Sequence, residues 1–190
     1  ISDGKLSSTE AKAFFKQIPG IPTLVVLGGS LGAKRINQLI ATHLDTFEKQ
    51  GLQLIWQCGS LYYDQYKKHQ SERVKIMSFV AEIDKLYAAA DMVISRSGAA
   101  TLSELCCTAR PVLLVPSPNV AGNHQYHNAM ALANKGAALV ITEKDLDLNF
   151  PKCFKLLLDR KKRNEMSKSL KALAQPNATA KIVDLIEALL

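Results

Sequence analysis

The chain has 190 residues, 47% of them apolar and 22% charged, which excludes a disordered, collagenous or membrane-embedded protein and leaves an ordinary folded one. Its longest apolar runs, such as Thr23 to Leu27 and Val112 to Val115, fall far short of the ~20 residues that span a bilayer; without the basic-then-apolar start of a signal peptide, this points to a cytoplasmic chain. The net charge is +7, and residues 151–190 carry nine Lys/Arg against four Asp/Glu, so most of the excess is a C-terminal property.

The segment 1–22 reads as a lead-in. Ser8 or Thr9 is predicted to cap a short helix, and Pro19-Gly20-Ile21-Pro22 forms an entry loop into a domain at 23–190. Strands are then predicted at 23–28, 52–58, 74–78, 92–95, 112–115 and 138–141. Between them lie helices at 33–50, 62–69, 82–90, 101–108 and 125–135. Strands alternating with helices specify βαβ units and a parallel sheet. A continuous apolar run such as Leu24-Val25-Val26-Leu27 suits a strand covered on both faces. Three more helices follow, at 145–159, 161–174 and 178–190, with Pro176 before the last. The fold class is α/β, a doubly wound parallel sheet of about six strands.

The basic helix 161–174 is either a solvated face or an attractor of phosphates or an anionic leaflet. The few aromatic residues near it disfavour single-strand stacking. The last helix carries Ile182, Val183, Leu185, Ile186, Leu189 and Leu190, an apolar face for the core or for another domain. Cys58, Cys106, Cys107 and Cys153 form no C-x-x-C pair and read as reduced core thiols.

In open α/β sheets ligands bind beyond the carboxyl ends of the strands. The first loop there, Gly28-Gly29-Ser30-Leu31-Gly32, joins a buried strand to a helix start. That setting favours an anion, although the loop is neither G-x-G-x-x-G nor a Walker A sequence. The second, Ser95-Arg96-Ser97-Gly98-Ala99-Ala100-Thr101, is dense in small and hydroxyl residues. Glu104 lies three residues beyond Thr101, so it either completes a capping box or faces the crevice, where a carboxylate binds a vicinal diol. The third loop, 116–125, is long and ends in Asn123-His124-Gln125, an array of amides and imidazole suited to sugar hydroxyls. His124 and His127 lack an evident third metal ligand, and Asp145-Leu146-Asp147 is either a D-x-D metal motif or an acidic helix start.

Taken together, Leu27-Gly28-Gly29-Ser30-x-Gly32-Ala33 with Asn37, Phe79-Val80, Ala90-Asp91-x-Val93-x-x-Arg96-Ser97-Gly98-Ala99-x-Thr101-x-x-Glu104, Val115-Pro116 and Asn123-His124-Gln125-x-x-Asn128-Ala129 resemble the C-terminal half of the MurG family. These are bacterial N-acetylglucosaminyltransferases of peptidoglycan synthesis. The resemblance implies a Rossmann-like domain of a two-domain GT-B enzyme, with this half holding the UDP-sugar. It implies that Phe79 and Val80 flank uracil and that Glu104 binds the ribose diol. Gly29, Ser30 and Gly32, with Ala100 and Thr101, then serve the diphosphate and nearby sugar, while His124 and Gln125 contact N-acetylglucosamine. The implied reaction is inverting transfer from UDP-GlcNAc to the C4 hydroxyl of lipid I, giving lipid II, with no cofactor and no required metal. The acceptor site, the general base and the membrane-association patch belong to the preceding domain, so this chain alone binds donor without turnover. Peripheral attachment to the cytoplasmic face of the anionic inner membrane is implied for the whole enzyme, and nucleic acid binding is not. Other expectations are a different GT-B enzyme, acting in glycolipid transfer or UDP-GlcNAc 2-epimerisation, and a non-catalytic nucleotide-binding module.

Overall fold

The computed structural model describes residues 6–189, so residues 1–5 of the lead-in and Leu190 of the last predicted helix lie outside the described residues. Six parallel strands, β1 (Thr23–Leu27), β2 (Gln53–Gln57), β3 (Val74–Met77), β4 (Met92–Ser95), β5 (Val112–Leu114) and β6 (Leu139–Val140), form one sheet in the order β3-β2-β1-β4-β5-β6. The order reverses between β1 and β4, which makes the carboxyl end of that pair the topological switch point. Leu27 is level with both Gln57 and Ser95, so β1, β2 and β4 end together.

Alternation of side chains along each strand feeds two apolar layers. Leu24, Val26, Leu54 and Trp56 face one layer with α2 (Lys34–Thr42), α3 (Leu44–Lys49), α4 (Tyr63–Tyr66) and α8 (Leu146–Leu158). Val25, Ile55, Val93 and Leu114 face the other, with α1 (Ser8–Phe14), α5 (Ile83–Ala89), α6 (Ala99–Thr108), α7 (His124–Ala133) and α9 (Arg160–Leu173). This double coverage explains the unbroken apolar runs.

Several boundaries differ from expectation. Helix α1 is capped by Ser7 rather than Ser8 or Thr9: the Glu10 N–H donates to Ser7 Oγ at 3.2 Å, and Glu10 Oε2 accepts from the Ser7 N–H at 3.0 Å. The helix predicted at 33–50 breaks at His43. There the backbone leaves helical geometry and the ring turns onto Phe150, with centroids 4.7 Å apart. Strand β6 is reduced to two residues. Cys107 is exposed rather than a core thiol. The apolar side chains Ile182, Leu185 and Ile186 of α10 (Ala178–Glu187) are exposed, so no core packing of this face occurs among the described residues.

The segment ahead of β1 is packed onto the domain. Buried Lys12 donates to Asp91 Oδ2 at 2.7 Å, and the same oxygen accepts from the Thr23 N–H at 2.7 Å. The buried Gln53 amide accepts from the Ile18 N–H at 2.8 Å and donates to the Ile21 carbonyl at 3.0 Å. Charge-assisted and buried bonds of this kind are the stronger members of their class.

Candidate functional site

The loop after β1 is shaped by glycines with different tasks. Gly29 has φ +81°, and a Cβ there meets nothing within 4 Å, so its requirement is conformational alone. Gly32 has φ +93°, and a Cβ there would lie 2.2 Å from the Cys58 carbonyl oxygen. Gly59 approaches from the other side, its own Cβ position only 2.1 Å from the Gly32 nitrogen. The loops after β1 and β2 therefore touch backbone to backbone. Buried Asn37 holds this contact, donating to the Cys58 carbonyl at 2.8 Å and accepting from Trp56 Nε1 at 2.9 Å.

At the switch point lies a crevice of about 160 Å³ lined by Gly29 and Ser30 from the first loop, Phe79 and Val80 beyond β3, and Thr101 and Glu104 of α6. Phe79 is 60% exposed and forms the rim, whereas Val80 is buried. Of the two alternatives for Glu104, the capping box does not form. Helix α6 starts at Ala99 behind Gly98, which places Thr101 inside its first turn, and Gly98 makes no side-chain cap. Glu104 instead lines the crevice, and its Oε2 accepts from the Tyr87 hydroxyl at 3.0 Å. Burial of the Tyr87 ring, reinforced by the neighbouring carboxylate, pushes its phenol far above the usual range. The first-turn N–H groups of α6 have no partner inside the helix, and its positive dipole end favours an anion.

Four residues expected at the site do not line this crevice. Gly32 is consumed by the contact with Cys58 and Gly59, and Ala100 is an exposed residue of the first turn of α6. His124 is exposed, with Nδ1 at 2.9 Å from the Ala121 carbonyl. Gln125 stitches loops together: its Oε1 accepts from the Ser117 N–H at 3.0 Å and its carbonyl accepts from Ser97 Oγ at 2.7 Å. The loop these residues organise borders a second cavity of about 710 Å³, with Ser117, Asn123, Tyr126, Thr142 and Lys144 in its wall. Arg96 links the two cavities. It lines the first, donates to the Val115 carbonyl at 3.0 Å, and pairs with Glu143 in the wall of the second. Of the acidic pair in 145–147, Asp145 accepts from the Thr142 hydroxyl at 2.6 Å and Asp147 pairs with Arg35 at 3.1 Å. Among the described residues no group of three or more His, Cys, Asp or Glu converges as a metal site.

Sequence reasoning gave no role to Gln57, Tyr87 or Arg96, all of which line the crevice. Arg96 left a signal, as the charged residue of the small-residue loop after β4, and Gln57 did so as the polar residue that follows Leu54-Ile55-Trp56 at the end of β2.

A parallel sheet in this order, with a glycine loop and a helix start meeting across its switch point, makes this a Rossmann-like α/β domain of the GT-B type. The chain belongs to the family described as glycosyltransferase family 28 C-terminal domain, which it matches over residues 23–187. It is 50% identical over 182 residues to a protein of Christiangramia forsetii named UDP-N-acetylglucosamine–N-acetylmuramyl-(pentapeptide) pyrophosphoryl-undecaprenol N-acetylglucosamine transferase, covering 95% of this chain and 50% of that one. A Flavobacterium psychrophilum protein of the same name is 50% identical over 184 residues, covering 96% of this chain and 50% of that one. The crystal structure of Acinetobacter baumannii MurG superimposes with a TM-score of 0.81 at 28% identity, over 97% of this chain and 54% of that chain. The chain thus spans about half the length of the curated relatives it matches.

Proposed function

We propose that this chain is the donor-binding half of an inverting glycosyltransferase that moves N-acetylglucosamine from UDP-GlcNAc to the C4 hydroxyl of lipid I, forming lipid II. The observation that carries this reading is the meeting of three separate segments, Gly29-Ser30, Phe79-Val80 and Thr101 with Glu104, in one crevice at the switch point. The half-identity to two transferases named for that reaction supports the choice of substrates. In this reading Phe79 and Val80 flank the uracil, Glu104 accepts hydrogen bonds from the ribose diol, and Ser30 with the loop amides of Gly29 takes the diphosphate. Thr101 sits in the helix turn beside it. Gly32 shapes the loop, Ala100 and Thr101 border the sugar, and His124 and Gln125 reach N-acetylglucosamine from the edge of the larger cavity.

Loop amides and helix dipoles offset the charge of a departing diphosphate, which makes a bound metal unnecessary in the donor site. The acceptor site and general base are supplied by a preceding domain, with 1–22 as the joining segment and 23–190 as the donor domain. The whole enzyme works on the cytoplasmic face of the membrane as a peripheral protein, without nucleic acid. No described helix is long and apolar enough to cross a bilayer.

The test is donor competition followed by turnover. UDP-GlcNAc is expected to displace bound UDP more effectively than UDP-glucose or UDP-galactose does. Transfer to lipid I is expected from the full-length enzyme in the presence of a chelator, and not from this chain alone. Equal displacement by all three sugars would favour another GT-B reaction, and steeply salt-dependent RNA or DNA binding would favour a nucleic-acid module.

A further inference from the structure

Gln57 is the last residue of β2, is buried, and lies in the crevice wall. Its side-chain Oε1 accepts from the Gly28 N–H at 3.0 Å, while its Nε2 donates to the Gly29 carbonyl at 2.7 Å and to the Ser78 carbonyl at 3.1 Å. The first two partners belong to the glycine loop after β1, and the third immediately precedes Phe79 and Val80. Strands β1 and β3 do not pair with each other, because β2 lies between them, and the Gln57 amide reaches across from one loop to the other. The Gly28 N–H is shared with the Gln57 main-chain carbonyl, also at 3.0 Å, whereas the Gly29 and Ser78 carbonyls need two donors at the end of a single side chain. A primary amide supplies that set and a carboxylate does not.

We propose that Gln57 is a positioning residue that presets the spacing between the glycine loop and the Ser78–Val80 loop, so that a nucleoside diphosphate is held at its base and its phosphates at once. The proposal rests on the reading that Ser30 and its loop take the diphosphate while Phe79 and Val80 take the base. A ligand spanning both loops gains from both only when their separation is fixed before binding; otherwise the cost of ordering them is charged to affinity. A ligand that touches only the base side escapes most of that cost.

The test compares UDP with uridine on this chain and on Gln57→Leu and Gln57→Glu, with thermal unfolding as the check on folding. Gln57→Leu removes the three side-chain bonds at similar volume and leaves the main-chain bond to the Gly28 N–H, and Gln57→Glu sets a carboxylate against two carbonyl oxygens. Both variants are expected to lower the affinity ratio of UDP over uridine about tenfold, the scale of one hydrogen bond, with uridine affinity changed less than about threefold. If both ligands weaken equally, the ratio is unchanged, Gln57 is merely structural, and the proposal is overturned while the donor reading stands. An unaltered chain with no preference for UDP over uridine overturns both. One measurement needs no variant: the Gln57 side-chain amide protons of the free chain are expected to resist exchange with solvent. Rapid exchange there overturns the proposal even if neither variant folds.

Discussion

The Tyr87 hydroxyl, on a fully buried ring of α5, donates a 3.0 Å hydrogen bond to the Glu104 carboxylate on α6. The bond joins two helices and holds one carboxylate oxygen, leaving the carboxylate turned to the crevice. Tyr87→Phe keeps the packed ring and deletes only the donor. We expect it to weaken UDP binding by about 1 kcal/mol, less than the ~1.5–3 kcal/mol of a hydrogen bond to a charged group because Tyr87 orients Glu104 rather than replacing it, with little change in fold. Affinity by calorimetry and the unfolding temperature check the two halves of that statement.

The glycines of the first loop separate conformational strain from steric collision. Gly29→Ala places a side chain in open space at φ +81°, and we expect a cost of about 1–2 kcal/mol, the ordinary left-handed penalty. Gly32→Ala carries the same strain and also drives its Cβ into the Cys58 carbonyl, so it is expected to cost clearly more. Urea unfolding of the two variants gives the comparison, and equal losses would contradict the interlocked loops.

Burial raises the pKa of Cys58, Cys106 and Cys153, and it raises those of Tyr66 and Tyr87 as well. Each of these groups is neutral when protonated, so the folded chain binds protons that the unfolded chain releases. Their contribution is fully present below the unfolded values of about 8.5 for thiols and 10 for phenols, and it is lost as pH rises beyond them. Stability measured by urea unfolding is therefore expected to hold near neutrality and to fall between about pH 8.5 and 10.5. A flat or rising profile would contradict the burial of these groups.

His124 lies outside the crevice and is exposed. His124→Ala is expected to leave UDP affinity within about twofold, since no crevice contact is lost, and to reduce the preference for UDP-GlcNAc over UDP by roughly 0.5–1.5 kcal/mol, the net value of one neutral hydrogen bond. Parallel titrations with the two ligands measure it.

The parts of this fold that were legible in the chain are those set by local pattern. Leu24 to Leu27 announces a doubly covered strand, and the glycines after it announce a turn into a helix. The orientation of Glu104 was ambiguous because it depends on whether α6 begins at Ala99 or Thr101, a difference smaller than the usual uncertainty of a helix end. The roles of Gln57, Tyr87 and Arg96 were hidden for another reason. Their partners lie far along the chain, as Glu143 does from Arg96 and Ser78 from Gln57, and only the packed sheet brings them together. The break at His43 was likewise invisible, because the ring that it packs against, Phe150, belongs to a distant helix.

Calorimetric titration of UDP into this chain and into Glu104→Ala addresses the crevice most directly. We expect saturable one-to-one binding to the unaltered chain, weakened by about 1.5–3 kcal/mol in the variant, the range for a hydrogen bond to a charged group. No saturable binding, or the same affinity in both proteins, would contradict the assignment of this crevice to the donor nucleotide.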